Sequence, residues 1–356
     1  MHTYLSFRRF LLKAALFFAG FAVLFAAAQF ILRQRFTESL DLYTPIRLFL
    51  EEPADEIDVL FLGTSEMQNA ILPALFYEET GLRSFNLATP NTTAISQYYL
   101  LEFILKHQTP KVIVCDFCGI HNSNNMMVAY ETLNASIPDL SVRLSMVRDL
   151  VDTGRLDNPV SYFFPLLQYH GRWEQILKEG VQTKQFNENY PACLKGTHLY
   201  KGPNQDDPGT LNYEDFVPTH PMNEMYEESV DYYDRFLALC EEKGIRVFML
   251  NSPVLRHPGH VNGEVEQMRP FLEEHGVDII NLNELDYILY LMRLDFVEDF
   301  HDITHVSYTG TEKVTRYFAQ RFKELPIYET LPHGPYPSWD QTVQEYYAYA
   351  EEFKND

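Results

Sequence analysis

The sequence predicts a mixed α/β domain with a mostly parallel sheet, preceded by one transmembrane helix. Three observations carry this reading. Short apolar runs that stop at glycine or turn residues alternate with helical stretches, a long uncharged apolar run lies near the N-terminus, and a basic head precedes a strongly acidic body. Alternating strands and helices bury a parallel sheet under helices on both faces.

The chain has 356 residues, enough for one large domain or two ordinary ones. Apolar residues make up 46% and charged residues 22%, so a sizeable core is expected rather than disorder. Lys plus Arg number 28 against 50 Asp plus Glu, a net charge of -22. Such a surface repels phosphate backbones and excludes general nucleic-acid binding. Four cysteines exclude a disulfide-dense scaffold.

Residues 14–32 carry no charge and are long enough to cross a bilayer as a helix. Arg8, Arg9 and Lys13 precede the run and Arg33 and Arg35 follow it. The excess on the leading side predicts a cytoplasmic N-terminus (1–9), a transmembrane signal anchor (10–32) and an acidic body outside. A cleaved signal peptide ending near Ala26-Ala27-Ala28 is the rival reading, and it leaves the body on the same side.

Residues 33–55 read as a connector. The run 57–62 is a buried strand ending at Gly63, and a helix is expected from Ser65 to about Thr80, with Gly81 as its stop. Ser84 to Leu87 is a second strand, Ser96 to His107 a helix ended by Pro110, and 112–117 a third strand. A helix over about 226–242, stopped by Gly244, leads to strands at 246–250 and 277–281. A capping box, Thr309-Gly310-Thr311-Glu312, predicts a helix over about 310–323. Residues of about 120–225 read as an insertion, and the aromatic, acidic tail 326–356 as a segment packed over a domain spanning 56–325.

Three features suit acyl-transfer chemistry. Gly63-Thr64-Ser65 closes the first strand, where a serine stands on a turn into a helix beside free backbone N–H groups. An ordinary helix N-cap is the alternative for that serine. Asp302-Ile303-Thr304-His305 is spaced so that one local turn presents both side chains, His305 as proton acceptor and Asp302 as its orienting acid. The polar loop 85–93 follows the second strand and offers backbone or Asn donors for an oxyanion, or simply an Asn-mediated turn.

An early strand-Gly-Thr-Ser and a late Asp-Ile-Thr-His before a helix resemble the SGNH (GDSL-like) hydrolase superfamily. More narrowly, the segments 59–73, 85–117, 163–173 and 295–319 are similar to its membrane-anchored branch that includes the D-alanine transfer proteins of teichoic acid modification. The resemblance implies a three-layer α/β/α fold, Ser65 as nucleophile, His305 as base and Asp302 as its acid. It implies oxyanion donors from two further blocks. There Ala88 stands where the family has Gly, and Asn122 is the loose match to the family Asn, with Asn86 and Asn91 as rivals. It also implies a membrane-bound O-acyltransferase as partner and an envelope polysaccharide or polyol polymer as substrate.

The expected function is an extracytoplasmic serine acyl-ester transferase or esterase of the plasma membrane, working through acyl-Ser65 and without cofactor or metal. A non-catalytic scaffold for an acyltransferase is the alternative, and a metal-dependent phosphohydrolase a weaker one. His170, Arg172 and Trp173 are candidate sugar or anion contacts, or a structural cluster. Cys115 and Cys118 have the spacing of a redox pair but sit on and after an apolar strand, which favours burial. Asp295, Glu298, Asp299, His301 and Asp302 fit no metal-ligand spacing and read as a solvated acidic face.

Overall fold

The computed structural model describes residues 2–32, 42–122, 126–179, 187, 189–204, 224–256 and 258–355. Arg33, Arg35, much of the connector and parts of the 120–225 segment lie outside the described residues. The chain divides into two compact units, Met1–Thr37 with Leu144–Phe186, and Glu38–Arg143 with Asn187–Asp356.

In chain order the elements are α1 (His2–Leu32), α2 (Tyr43–Glu51), β1 (Val59–Leu62), α3 (Ser65–Ala70), α4 (Pro73–Thr80), β2 (Ser84–Asn86), α5 (Ala94–Ile104), β3 (Val112–Cys115), α6 (Met127–Ser136) and α7 (Leu140–Asp152). There follow α8 (Pro165–Gln168), α9 (Trp173–Glu179), α10 (Glu227–Glu242), β4 (Arg246–Asn251), α11 (Pro258–Glu274), β5 (Asp278–Asn281), α12 (Tyr308–Lys323) and α13 (Pro337–Asn355).

The larger unit is built on a five-stranded sheet of order β2-β1-β3-β4-β5, parallel throughout. Parallel strands buried on both faces need no polar alternation, and β1 (VLFL) and β3 (VIVC) have none. On one face Val59, Phe61, Val112, Val114, Phe248 and Leu250 pack against α3, α4 and α12 through Met67, Phe76, Val314 and Phe318. On the other, Cys115 Sγ donates to Gln97 of α5, and Tyr233 of α10 donates to the same amide oxygen at 2.8 Å.

Two expectations are corrected. The helix after Ser65 is broken: Ile71 and Leu72 are extended and Pro73 starts α4, because a proline ring fits the first turn of a new helix but not the interior of an old one. The Thr309 capping box is not formed. Ser307 precedes the first helical residue, and the Thr309 hydroxyl turns to Glu298 O at 3.1 Å. Gly310 lets this turn sit close, since a Cβ there would lie 2.1 Å from Asp299 O. The aromatic tail forms α13, where Trp339 and Tyr346 are buried and Asp340 accepts from Tyr77 at 2.9 Å.

In the smaller unit α1 is long and apolar enough over Phe7–Leu32 to cross a membrane, with a mean hydropathy of 2.3. Near its end Gln29 accepts a hydrogen bond from Leu166 N at 2.7 Å, and the Phe25 and Phe164 rings lie 5.9 Å apart.

Phe76 is fully buried and its ring meets those of Phe61, Phe318 and Phe322 at 5.3–5.7 Å. Phe76→Ala is expected to cost about 3–5 kcal/mol, read by chemical denaturation of the detergent-solubilised chain. A loss below 1 kcal/mol would contradict this packing.

Candidate active site

In a sheet of this order the chain leaves β1 and β3 toward opposite sides, which opens a crevice beyond their carboxyl ends. A cavity of about 240 Å³ lies there, lined among others by Thr64, Ser65 and Glu66 after β1, Cys118 and Asn122 after β3, and Arg256 after β4.

Thr64, not Ser65, caps α3: its hydroxyl accepts from Glu66 N at 3.3 Å. Ser65 is therefore the first helical residue, and its own hydroxyl is left for other partners. The turn is held by Asp116, only 1% exposed, which accepts from Thr64 N at 2.6 Å, Thr64 Oγ1 at 2.8 Å and Cys118 N at 2.9 Å. Burial raises the Asp116 carboxyl above its ordinary range, and hydrogen bonds from Thr64, Cys118 and Met67 pull against that rise. Gly63 has φ +140°, and a Cβ on it would meet the Asp116 carboxylate at 2.5 Å.

His305 comes from a hairpin closed by an antiparallel bridge between Phe300 and Val306 and by His301 N donating to His305 O at 2.8 Å. Its Nε2 lies 2.8 Å from Ser65 Oγ, across 240 residues of sequence. Its Nδ1 lies 2.8 and 2.9 Å from the two Asp302 oxygens. A proton held on Nδ1 by that carboxylate leaves Nε2 to accept from the serine hydroxyl. Burial would raise Asp302, but the His305 hydrogen bond and charge, with donors from Thr304, hold it at about 2. Asp302 Oδ1 also accepts from His305 N and Thr304 N, which fixes the turn itself. Tyr200 tilts against His305 at 5.7 Å and stacks flat on His301 at 3.8 Å.

The oxyanion candidates separate. Asn86 is fully buried and committed, donating to Met67 O and Ile71 O and accepting from Ala88 N. That last bond also consumes the Ala88 N–H, and Ala88 sits in the apolar core. Neither Asn86 nor Ala88 is an oxyanion donor. Asn91 and Asn122 do line the cavity, Asn122 using one amide hydrogen on Thr92 O at 2.8 Å. The Ser65 N–H, in the first turn of α3, has no acceptor within the helix and is the third available donor.

His170, Arg172 and Trp173 belong to the smaller unit and none lines this cavity. Cys115 and Cys118 are free, and burial raises both thiols well above their ordinary value, with Asp116 adding to it. The 295–302 cluster is not a solvated face throughout: Asp299 is buried, paired with Lys313 and accepting from Asp295 N. Among the described residues no group of His, Cys, Asp and Glu could hold a metal ion.

Sequence reasoning missed the ionic wall of the cavity. Glu66 pairs with Arg256 at 3.0 Å, and Arg256 reaches Glu264 at 3.7 Å. The available signal was position, since Arg256 follows a strand at the sheet's carboxyl edge and Glu66 follows the serine. Burial pushes Glu66 up to about 7, Asp116 and Glu264 adding to the rise while Arg256 and His305 oppose it.

No family model and no curated protein matches the chain. What the site can do is therefore read from its own geometry: a hydroxyl, an imidazole and a carboxylate in one hydrogen-bonded line, opening on a cavity with N–H donors. That arrangement activates a serine for attack on an electrophilic carbon.

Two measurements probe this geometry. Raised from an ordinary value near 4.5 to about 7, Glu66 contributes stability that is present at low pH and lost as pH rises through that window. The wild-type melting temperature is expected to fall more between pH 5 and pH 8 than that of Glu66→Gln, and equal pH slopes would reject this assignment. Gly63→Ala is expected to displace the Asp116 carboxylate and misplace Ser65. A serine-directed fluorophosphonate should then label at least about 100-fold more slowly, and an unchanged rate would reject the role given to the turn.

Proposed function

We propose that this chain is a membrane-anchored serine acyl-ester transferase or esterase of the SGNH type, acting on an envelope glycan or a teichoic-acid-like polyol polymer. One observation carries the reading: Ser65 Oγ, His305 Nε2 and Nδ1, and Asp302 form a continuous relay with contacts of 2.8–2.9 Å. The sheet order and the position of Ser65 after its first strand are in keeping with that superfamily.

In the proposed reaction Ser65 Oγ attacks the acyl carbonyl carbon and its proton passes to His305 Nε2. Asp302, ionised at neutral pH, stabilises the imidazolium. The tetrahedral oxyanion is met by the Ser65 N–H and by Asn91 or Asn122. Collapse breaks the bond to the donor's alkoxide, which takes the proton from His305 and leaves acyl-Ser65. An acceptor hydroxyl or water then loses its proton to His305, attacks the ester, and restores the serine.

The anchor is α1, with the N-terminus proposed to be cytoplasmic and the catalytic unit outside. Exposed apolar side chains in the same unit as α1, including Phe164, Leu167, Trp173 and Leu177, suit contact with a lipid bilayer or a membrane-bound O-acyltransferase partner.

Ser65→Ala is expected to abolish covalent labelling by a fluorophosphonate, and Asp302→Asn to slow it by about 10³–10⁴-fold. Labelling that persists in Ser65→Ala would reject the mechanism. In a deletion strain, full polymer acylation with both Ser65→Ala and His305→Ala would instead establish a non-catalytic scaffold.

A further inference from the structure

A second cavity, of about 260 Å³, lies in the larger unit apart from the Ser65 pocket. It is enclosed by α3 (Gln68), by the strap around Asn187, Asn189 and Tyr190, and by the terminal helix α13 (Tyr349, Phe353). Among the described residues no Asp, Glu, Lys or Arg lines it, in a chain whose net charge is -22. Its described walls combine the amides of Gln68, Asn187 and Asn189, the rings of Tyr190, Tyr349 and Phe353, the His198 imidazole, and proline and leucine side chains.

Gln68 is 7% exposed, and its side-chain amide has no hydrogen-bond partner among the described residues. Its amide lines the cavity and is open to a ligand there. Tyr349, half-buried, likewise has no hydrogen-bond partner for its hydroxyl among the described residues, and its ring lies 5.3 Å from that of Phe353. An amide that both donates and accepts, a neutral phenol and paired ring faces match one ligand chemistry: vicinal hydroxyls on a carbon frame with apolar C–H faces. The absence of Asp, Glu, Lys and Arg among the described lining residues disfavours phosphates and ammonium groups.

We infer that this cavity binds a neutral polyhydroxylated unit, one sugar ring or a short polyol segment. Gln68 supplies the paired donor and acceptor, and Tyr349 with Phe353 the stacking face.

The cavity is coupled to the candidate active site by covalent and hydrogen-bonded neighbours. Gln68 is three residues beyond Ser65 on the same helix. Its carbonyl accepts from His198 N at 3.3 Å, Asn69 Nδ2 donates to His198 O at 2.7 Å, and Tyr200 two residues on packs against His305. A unit held here would lie beside the reacting centre without occupying it. Its service as the docking point of an acyl acceptor rests on the proposed acyl transfer, whereas the binding itself does not.

The test is calorimetric titration of the full chain in a detergent without a sugar headgroup. The probes are maltotetraose, the β-1,4-linked N-acetylglucosamine tetramer, ribitol and glycerol, and the arms separate a glycan from a polyol source. At least one probe is expected to bind at millimolar concentration or below, equally to wild type and Ser65→Ala, so that failure of the catalytic reading leaves this result standing. Gln68→Leu is expected to weaken binding by about tenfold or more, the scale of one or two lost hydrogen bonds. Tyr349→Phe, which removes a single hydroxyl, serves where Gln68→Leu disturbs the fold. No binding of any probe, or binding unaffected by both variants, overturns the inference.

Discussion

The contact on which the candidate site hangs is made by a carboxylate that no solvent reaches. Asp116, just after β3, grips the turn after β1 with two hydrogen bonds from Thr64 and accepts a third from Cys118 N in its own segment. Taking a carboxylate out of water is costly unless its oxygens are filled, and here Thr64 fills one and Cys118 N the other. Gly63 has to be glycine because the carboxylate occupies the place of a side chain. Thr64 is consumed as the helix cap, which leaves Ser65 beside it uncommitted. The two central strands are thereby tied together at the edge where the cavity opens.

The opposite half of the site is held more locally. Asp302 is ringed by donors from its own turn, so its carboxylate is placed before it meets His305 Nδ1. The hairpin beneath is pinned by buried Asp299, which joins Lys313 of α12 and the 295–299 loop. Tyr200 backs the imidazole from a separate stretch of chain. The result is a histidine fixed on three sides, with Nε2 free to face the serine. Between the halves, the Glu66–Arg256–Glu264 row gives the cavity one ionic wall, and Glu66 within it titrates near neutrality. The hydroxyl relay and the ionic wall thus share one helix start, through the adjacent residues Ser65 and Glu66.

Polar surface is distributed by task in the larger unit. The Ser65 cavity is lined by Glu66, Arg256 and Glu264, and the Gln68 cavity one helical turn away has no Asp, Glu, Lys or Arg among its described lining residues. Helix α3 borders both cavities, Ser65 and Glu66 lining the first and Gln68 the second.

Much of this was legible in the sequence because the signals were local. The strands are continuous apolar runs, Gly81 ends α4 in a left-handed cap, and Asp302 and His305 meet through a three-residue spacing that needs no distant partner. The apolar run of α1 speaks for itself by length and lack of charge. The sequence could also place Ser65 on a turn after a strand, since Gly63 marks that turn. It could not show which polar groups are already spent. Asn86 and Ala88 resemble oxyanion donors until their bonds to α3 and to each other are seen. Thr309 resembles a cap until Ser307 takes that place. Asp116, Arg256 and Gln68 carry no motif at all. A side chain's type and spacing are written in the chain, but whether its hydrogen-bonding capacity remains free is decided by partners tens to hundreds of residues away, and only folding brings those partners into contact.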